Sequence, residues 1–383
     1  MLPKERFLNA FKHIEGDRVP VFEQSFASST ASEVLGRKAY TGSVSLHRDE
    51  AEAWIQGDDA HEEFVNKVRR DVIDFGNAVG FDAIRPPWRE AERPTKKLDA
   101  NTYLFGDQNS KKWAIRKYDP VSESFGTFDS SDKSWGLDEL AEFVKEFAGR
   151  KTKEFSAADF PDLAYYFEKC GKEKEILGGS SIAIPYDPAI WFEAIILNRE
   201  IVEMYLDKLV EIESKKIRVM CGMGVKVLWA GGDFADKNGP FYGPVVFREV
   251  LLPRLKKLCE LCHSLGIYYV FRSDGNLWSV ADDFFLASGI DGYGEIDIDS
   301  GMDLKRLKEG YGKRITFWGG ISAGDTLLQG SKQAIIDAVK KAIDDAAKGG
   351  GYIFGSSNSI ISGTPAANAI LAYETAIKYG KYR

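Results

Sequence analysis

The sequence predicts an α/β fold, a (β/α)8 TIM barrel, on three observations. Eight short apolar runs read as strands, helical sequence follows them, and no glycine-rich dinucleotide loop stands after the first. The 383 residues suit one large barrel or two ordinary domains. One domain over 1–383 is the simpler reading, because no internal repeat or low-complexity segment divides the chain.

The elements are justified in order. Phe7, Leu8, Ala10 and Phe11 mark a first helix, and Arg18 to Glu23 reads as a short buried strand ending in a carboxylate. A polar stretch, Gln24 to Arg48, leads into one or two helices over about 49–79, where Trp54, Phe64, Val65, Val68, Val72, Ile73 and Phe75 recur at near-helical spacing. This makes an N-terminal helical extension, followed by a second strand over Phe81 to Arg85. Residues 86–135 break the alternation. There Thr102 to Phe105, Lys111 to Tyr118 and Ser124 to Phe128 read as antiparallel strands, an inserted β-hairpin region. Helices are expected at about 137–148 and 161–170. Strands are expected at Glu175 to Ile184, Val225 to Asp233, Ile267 to Asp274, Ile290 to Ile296, Arg314 to Gly320 and Gly351 to Gly355. Asp187-Pro188 and Thr364-Pro365 each read as a capping side chain followed by a first-turn proline.

Composition bounds the function. With 44% hydrophobic and 28% charged residues the chain can build a core, which excludes disorder and fibre. The balance of 51 basic against 58 acidic residues gives −7, so no overall basic field exists to attract nucleic acid. No apolar run approaches the roughly 18 residues of a membrane span. Met1 to Gly16 is charged and amphipathic rather than a signal peptide, so a cytoplasmic protein is expected. Four cysteines in such a chain read as reduced thiols.

In a barrel of this kind reactive groups stand at the carboxyl ends of the strands. Those ends supply Glu23, Arg85, Tyr186, Asp233, Arg272, Asp274, Glu295 and Asn358, with Phe26, Trp88, Phe234, Phe241, Tyr242, Trp278 and Tyr293 close by. The expected mouth is aromatic and acidic with isolated arginines. Arg272 and Asp274 are two apart on one strand and so share a face, which suits substrate binding beside proton donation. Gly231-Gly232 allows close backbone approach before Asp233, and Glu23 ends its strand with no helix nearby to cap. Helix capping and rim ion pairing are the alternative uses of these carboxylates. Asp274, Glu23 and Asp233 are the catalytic candidates. If a metal is bound, Glu23, Asp233, Asp274 and Glu295 offer the oxygen ligands. Cys259-Glu260-Leu261-Cys262-His263 has haem-attachment spacing, but both cysteines fall on the apolar stripe of a helix. Lys348 to Gly351 reads as a helix stop rather than a phosphate cradle.

Glu5-Arg6-Phe7, Gly16-Asp17-Arg18-Val19-Pro20, Ser273-Asp274-Gly275-Asn276, Phe317-Trp318-Gly319-Gly320-Ile321 and Gly350 to Gly355 through Gly363-Thr364-Pro365 follow one another in an order that resembles the uroporphyrinogen decarboxylase superfamily. The resemblance is strongest over about 225–380 and implies the same barrel, with either decarboxylase or corrinoid-dependent methyltransferase activity. Decarboxylases of the superfamily carry arginines in the loop after the first strand, whereas Glu23 to Thr30 has none. Thiol-directed methyltransferases bind zinc through a His-x-Cys pair and a later Cys, where Arg272, Asp274 and Asn358 stand here. The resemblance therefore implies an O-demethylase methyltransferase. It would take a methyl group from a small donor, a methoxylated aromatic compound, and pass it to a corrinoid (cobalamin) on a partner protein. Substrate contacts are expected from Arg272, Arg85, Phe26, Trp88, Tyr186, Phe234, Trp278, Tyr293 and Asn358, and the resemblance implies a homodimer. The alternatives are a decarboxylase of the uroporphyrinogen type and a non-catalytic small-molecule-binding barrel.

Overall fold

The computed structural model describes residues 1–42, 44–89, 92–110, 112–120 and 123–382. Its centre is a parallel sheet in the order Gly178–Ser181, Val227–Gly231, Tyr268–Arg272, Gly292–Gly294, Thr316–Trp318, Tyr352–Ile353. Glu175–Ile176 runs into the first of these and pairs in parallel with Ala83–Ile84. The ring closes through residues 20–22. Val21 bridges Phe354, Phe22 N–H donates to the Phe354 carbonyl at 3.0 Å, and Asp82 N–H donates to the Val21 carbonyl at 2.9 Å. The expected (β/α)8 barrel is thus the observed one, with strands shorter than the apolar runs that announce them.

The first stave is too short for a ladder of its own, and a buried carboxylate supplements it. Asp82 accepts Val21 N–H at 2.7 Å and Arg18 Nη1 at 2.8 Å, and also pairs with Arg6. This ties the first helix, the first stave and the second stave at the amino-terminal end of the barrel.

Side chains alternate along each stave, and one set fills the interior. Phe22, Ala83, Leu177, Trp229, Val270, Trp318 and Ile353 form one buried cluster, plugged from below by Phe7, Ala10 and Phe11 of the helix Pro3–Phe11. Trp229 meets Trp318 and Phe22 edge-on at 5.1 and 5.0 Å, contacts worth about 0.5–1.5 kcal/mol each beyond their burial. Residues two positions further along the staves face the carboxyl end above this plug. A cavity opens there.

Outside the ring, where one or two helices were expected over about 49–79, there are two, Val44–Gln56 and Asp58–Val79, broken at Gly57 with φ 122°. An additional helix, Ser28–Leu35, occupies the stretch read as polar, because its sequence SSTASEVL carries little apolar periodicity. The insertion is a four-stranded antiparallel sheet of Lys96–Lys97, Thr102–Gly106, Trp113–Asp119 and Ser124–Ser130. Lys111, expected to open one of these strands, lies outside the described residues. The two expected proline caps are corrected. The helices Ile190–Leu197 and Ala366–Tyr379 begin after Ala189 and Pro365 without a side-chain cap, so neither Asp187 nor Thr364 serves. Cys259 and Cys262 are buried in the core, as their stripe requires. Among the described residues no helix is long and apolar enough to cross a membrane.

Candidate active site

A cavity of about 910 Å³ opens at the carboxyl end of the barrel. Its inner wall follows the alternation. Above Phe22 stands Gln24, above Ala83 stands Arg85, and above Trp229 and Val270 stand Gly231 and Arg272, with Asp233 and Asp274 one step higher. Gly231 and Gly232 are required by close approach: a Cβ at Gly231 would come within 2.7 Å of Arg272 Nη2, and one at Gly232 within 2.3 Å of the Ile182 carbonyl.

Carboxylate oxygens of Asp233, Asp274 and Glu295 all lie within 4.8 Å of one another. Burial and the charges of Glu295 and Asp233 push Asp274 well above the usual carboxylate range, and its hydrogen bond to Glu295 adds to the shift. These neighbours favour a proton on Asp274. Glu295 in turn accepts from Arg272 Nη1 at 3.2 Å and from Gln24 Nε2. Asn358 Nδ2 donates to both oxygens of Asp274 at 3.0 and 2.8 Å, and its own Oδ1 accepts Ser359 N–H at 2.5 Å, which fixes the amide's orientation. Burial, then the Glu295 charge, also raises Asp233.

Two arginines line the same cavity. Arg85 is 8% exposed, and its Nη1 donates to the Gln24 carbonyl at 3.1 Å. Its guanidinium carbon lies 3.9 Å from the Trp88 ring centre, and that of Arg272 lies 4.8 Å from the same centre.

Of the expected site residues, Asp233, Asp274, Glu295, Arg272, Arg85, Trp88 and Asn358 line this cavity together. Glu23 does not. It faces the other way, accepting Tyr373 Oη at 2.7 Å, Ser356 N–H at 3.0 Å and Gln24 N–H at 3.0 Å, with burial pushing it up to about 8. Phe26 packs on Phe75 at 4.2 Å in the core. Phe234 is buried against Phe247, and Tyr293 is wholly buried beneath Ser273, whose carbonyl its hydroxyl reaches at 3.4 Å. Trp278 turns to the Gly301 carbonyl at 2.9 Å and carries Arg306 over its ring. Tyr186 is half exposed beside Phe241 and feels the charges of Asp233 and Asp274 without lining the cavity. Sequence reasoning missed Gln24 and Trp229. The signal was available: once Phe22 is interior, a period of two turns Gln24 inward and Glu23 outward.

The acidic trio is an all-oxygen set of the kind a hard cation takes. Its surroundings fit a proton better, because N–H donors of Asn358 and Arg272 already occupy oxygens that a cation would need. No thiolate is at hand, since none of the four cysteines lines the cavity.

Residues 184–379, from just beyond the third stave through the last helix, match the uroporphyrinogen decarboxylase (URO-D) family. The chain belongs to the uroporphyrinogen decarboxylase family. Among solved structures it is similar to a methyltransferase from Methanosarcina mazei, at 19% identity over 99% of both chains with a TM-score of 0.64. It is more distantly similar to a sugar phosphate isomerase/epimerase from Parabacteroides distasonis, at 10% identity over 88% of this chain and 94% of that one, TM-score 0.37. Comparison with curated proteins gave no match. Within the URO-D family fold, the Asp274–Glu295 pair and the two arginines are the chemical endowment of this chain's cavity.

Proposed function

We propose that the chain is a methyltransferase of the uroporphyrinogen decarboxylase family. It would move a methyl group from a methoxylated aromatic donor to the cobalt(I) of a corrinoid carried by a separate protein, an O-demethylation. One observation carries this reading: Asp274, its proton held by burial and two neighbouring carboxylates, lines the cavity beside cationic groups that can hold a substrate.

An aryl methyl ether is a poor electrophile because phenolate leaves reluctantly, so the ether oxygen needs a proton as the bond breaks. The cobalt(I) acceptor is a substrate here and supplies the electron pair that forms the bond to the methyl carbon. The carbon–oxygen pair goes to the oxygen, which takes the proton of Asp274 and leaves as a phenol. Water then reprotonates Asp274. Asp233 helps keep the proton on Asp274 until that moment, and Arg272 and Gln24 hold Glu295 in place beside it. The cavity volume of about 910 Å³ is near the top of the roughly 300–1,000 Å³ usual for small-molecule sites. That is more than one aromatic ring fills and leaves space for the second reactant.

Full-length likeness to a methyltransferase favours transfer over decarboxylation. A decarboxylase of the uroporphyrinogen type is the second reading, favoured by the family match and opposed by the absence of arginine from Glu23 to Thr30. The test mixes the chain with reduced corrinoid protein and a panel of methoxylated aromatics and follows loss of the cobalt(I) absorption. Loss with a donor supports transfer. An unchanged spectrum together with carbon dioxide release from a carboxylated tetrapyrrole overturns it.

A further inference from the structure

Two cations in one cavity are costly unless something answers them. Arg272 has Glu295. Arg85 has no carboxylate within ion-pairing distance among the described residues. Its polar contacts among the described residues are the Gln24 carbonyl and the face of Trp88, and the Glu295 charge reaches it only from beyond ion-pairing distance. Trp88 draws the two guanidinium groups onto one ring, although each charge opposes the other. Further donors are idle around them. Arg272 Nε and Trp229 Nε1 are buried without an acceptor among the described residues, and Trp229 lies in the cavity wall. Buried donors of this kind cost stability unless a ligand satisfies them.

We propose that Arg85, with Arg272 and Trp88, forms a subsite for a carboxylate attached to the substrate's aromatic ring. The donors would then be methoxylated aromatic acids rather than neutral methoxyarenes. A guanidinium fork matches a carboxylate with two parallel hydrogen bonds, and an anion arriving there relieves the mutual repulsion of the arginines. The cavity holds both Arg85 and the acidic cluster of Asp233, Asp274 and Glu295. A ring anchored by its carboxylate at Arg85 directs its other substituents toward Asp274. The choice of methoxylated ligands rests on the transferase reading; the anion subsite itself does not.

The experiment compares 3,4-dimethoxybenzoate with 1,2-dimethoxybenzene by titration calorimetry on the full chain, with no corrinoid protein present. The acid is expected to bind at least about tenfold more tightly. Arg85→Gln should bring the two within about twofold. Arg85→Lys, which keeps the charge and loses the fork, should fall between, and it serves if the glutamine variant does not fold. Equal affinity of the unaltered chain for both ligands overturns the subsite, as does a preference that survives in folded Arg85→Gln. Methyl transfer without the preference overturns the subsite alone. The preference without methyl transfer supports the subsite and overturns the transferase reading.

Discussion

The amide nitrogen of Asn358 bridges both carboxyl oxygens of Asp274, at 3.0 and 2.8 Å, joining the loop after the last stave to the end of the fifth. A proton donor held in this way is oriented before substrate arrives. Asp274→Asn should lower kcat for methyl transfer by about 10²–10⁴, the usual worth of a positioned acid. Asn358→Asp, which sets another carboxylate against the first, should lower it by about 10² with KM little changed. Stopped-flow loss of cobalt(I) absorption measures both, and full turnover in folded Asp274→Asn would remove it from the chemistry.

The pH profile follows from the same neighbours. Asp274 must be protonated to act, and its proton affinity is raised, so kcat/KM should hold through neutrality and fall at alkaline pH. Asp233→Asn removes one of the charges responsible. Ionisation of Asp274 then becomes easier, and the alkaline limb should move to lower pH by roughly a unit or more. A limb that stays in place assigns it to another group.

Gly231 and Gly232 should respond differently to alanine. At Gly231 the new methyl meets the movable end of Arg272, so the fold should persist while KM rises roughly tenfold and kcat falls. At Gly232 it meets the backbone carbonyl of Ile182, which cannot swing aside, and about 1–3 kcal/mol of stability should be lost. Kinetics and urea melts on the two variants separate these effects.

Asp82→Asn should destabilise by about 3–5 kcal/mol, because it takes from Arg18 the carboxylate it pairs with and leaves Arg6 with Asp17 alone, where the ring closes. Chemical denaturation at neutral pH is the check, and a loss under about 1 kcal/mol would show that closure does not depend on this group.

Glu23 gives a stability prediction with a definite sign. Its proton is held up to about 8 in the folded chain, against about 4.5 for an ordinary glutamate. The folded state therefore binds the extra proton between those values, and stability is lost as pH rises through that window. At about 1.4 kcal/mol per unit the total is on the order of a few kcal/mol. Glu23→Gln cannot ionise and should flatten this part of the curve, so the variant should gain on the parent between pH 5 and pH 8 in thermal melts.

Why some of this was legible in the sequence and some was not follows from strand geometry. Tyr268–Arg272 and Val227–Gly231 announced themselves because apolar runs end abruptly in charge, and Arg272, Asp274 and Asp233 inherit their direction from the strand period. Phe26 and Trp278 lie beyond the regular strands, where no period sets direction, and proximity in sequence did not bring them to the cavity. Tyr293 lies within its strand and is wholly buried, which a list of aromatics near strand ends does not reveal. The first stave is the hardest to read: with one bridge and no regular ladder, nothing in the sequence separates the outward turn of Glu23 from the inward turn of Gln24 until Phe22 is known to be interior.

Val21 lies beside Phe354, so the barrel is sealed by stretches more than three hundred residues apart in the chain. Asp274 likewise waits for Asn358. A nascent chain leaving the ribosome would carry its acid long before it carried the amide that aims it. Competence would then come late and all at once, when the final stave docks, and a product truncated before residue 352 would hold most of the cavity wall yet lack the seam that makes it a vessel.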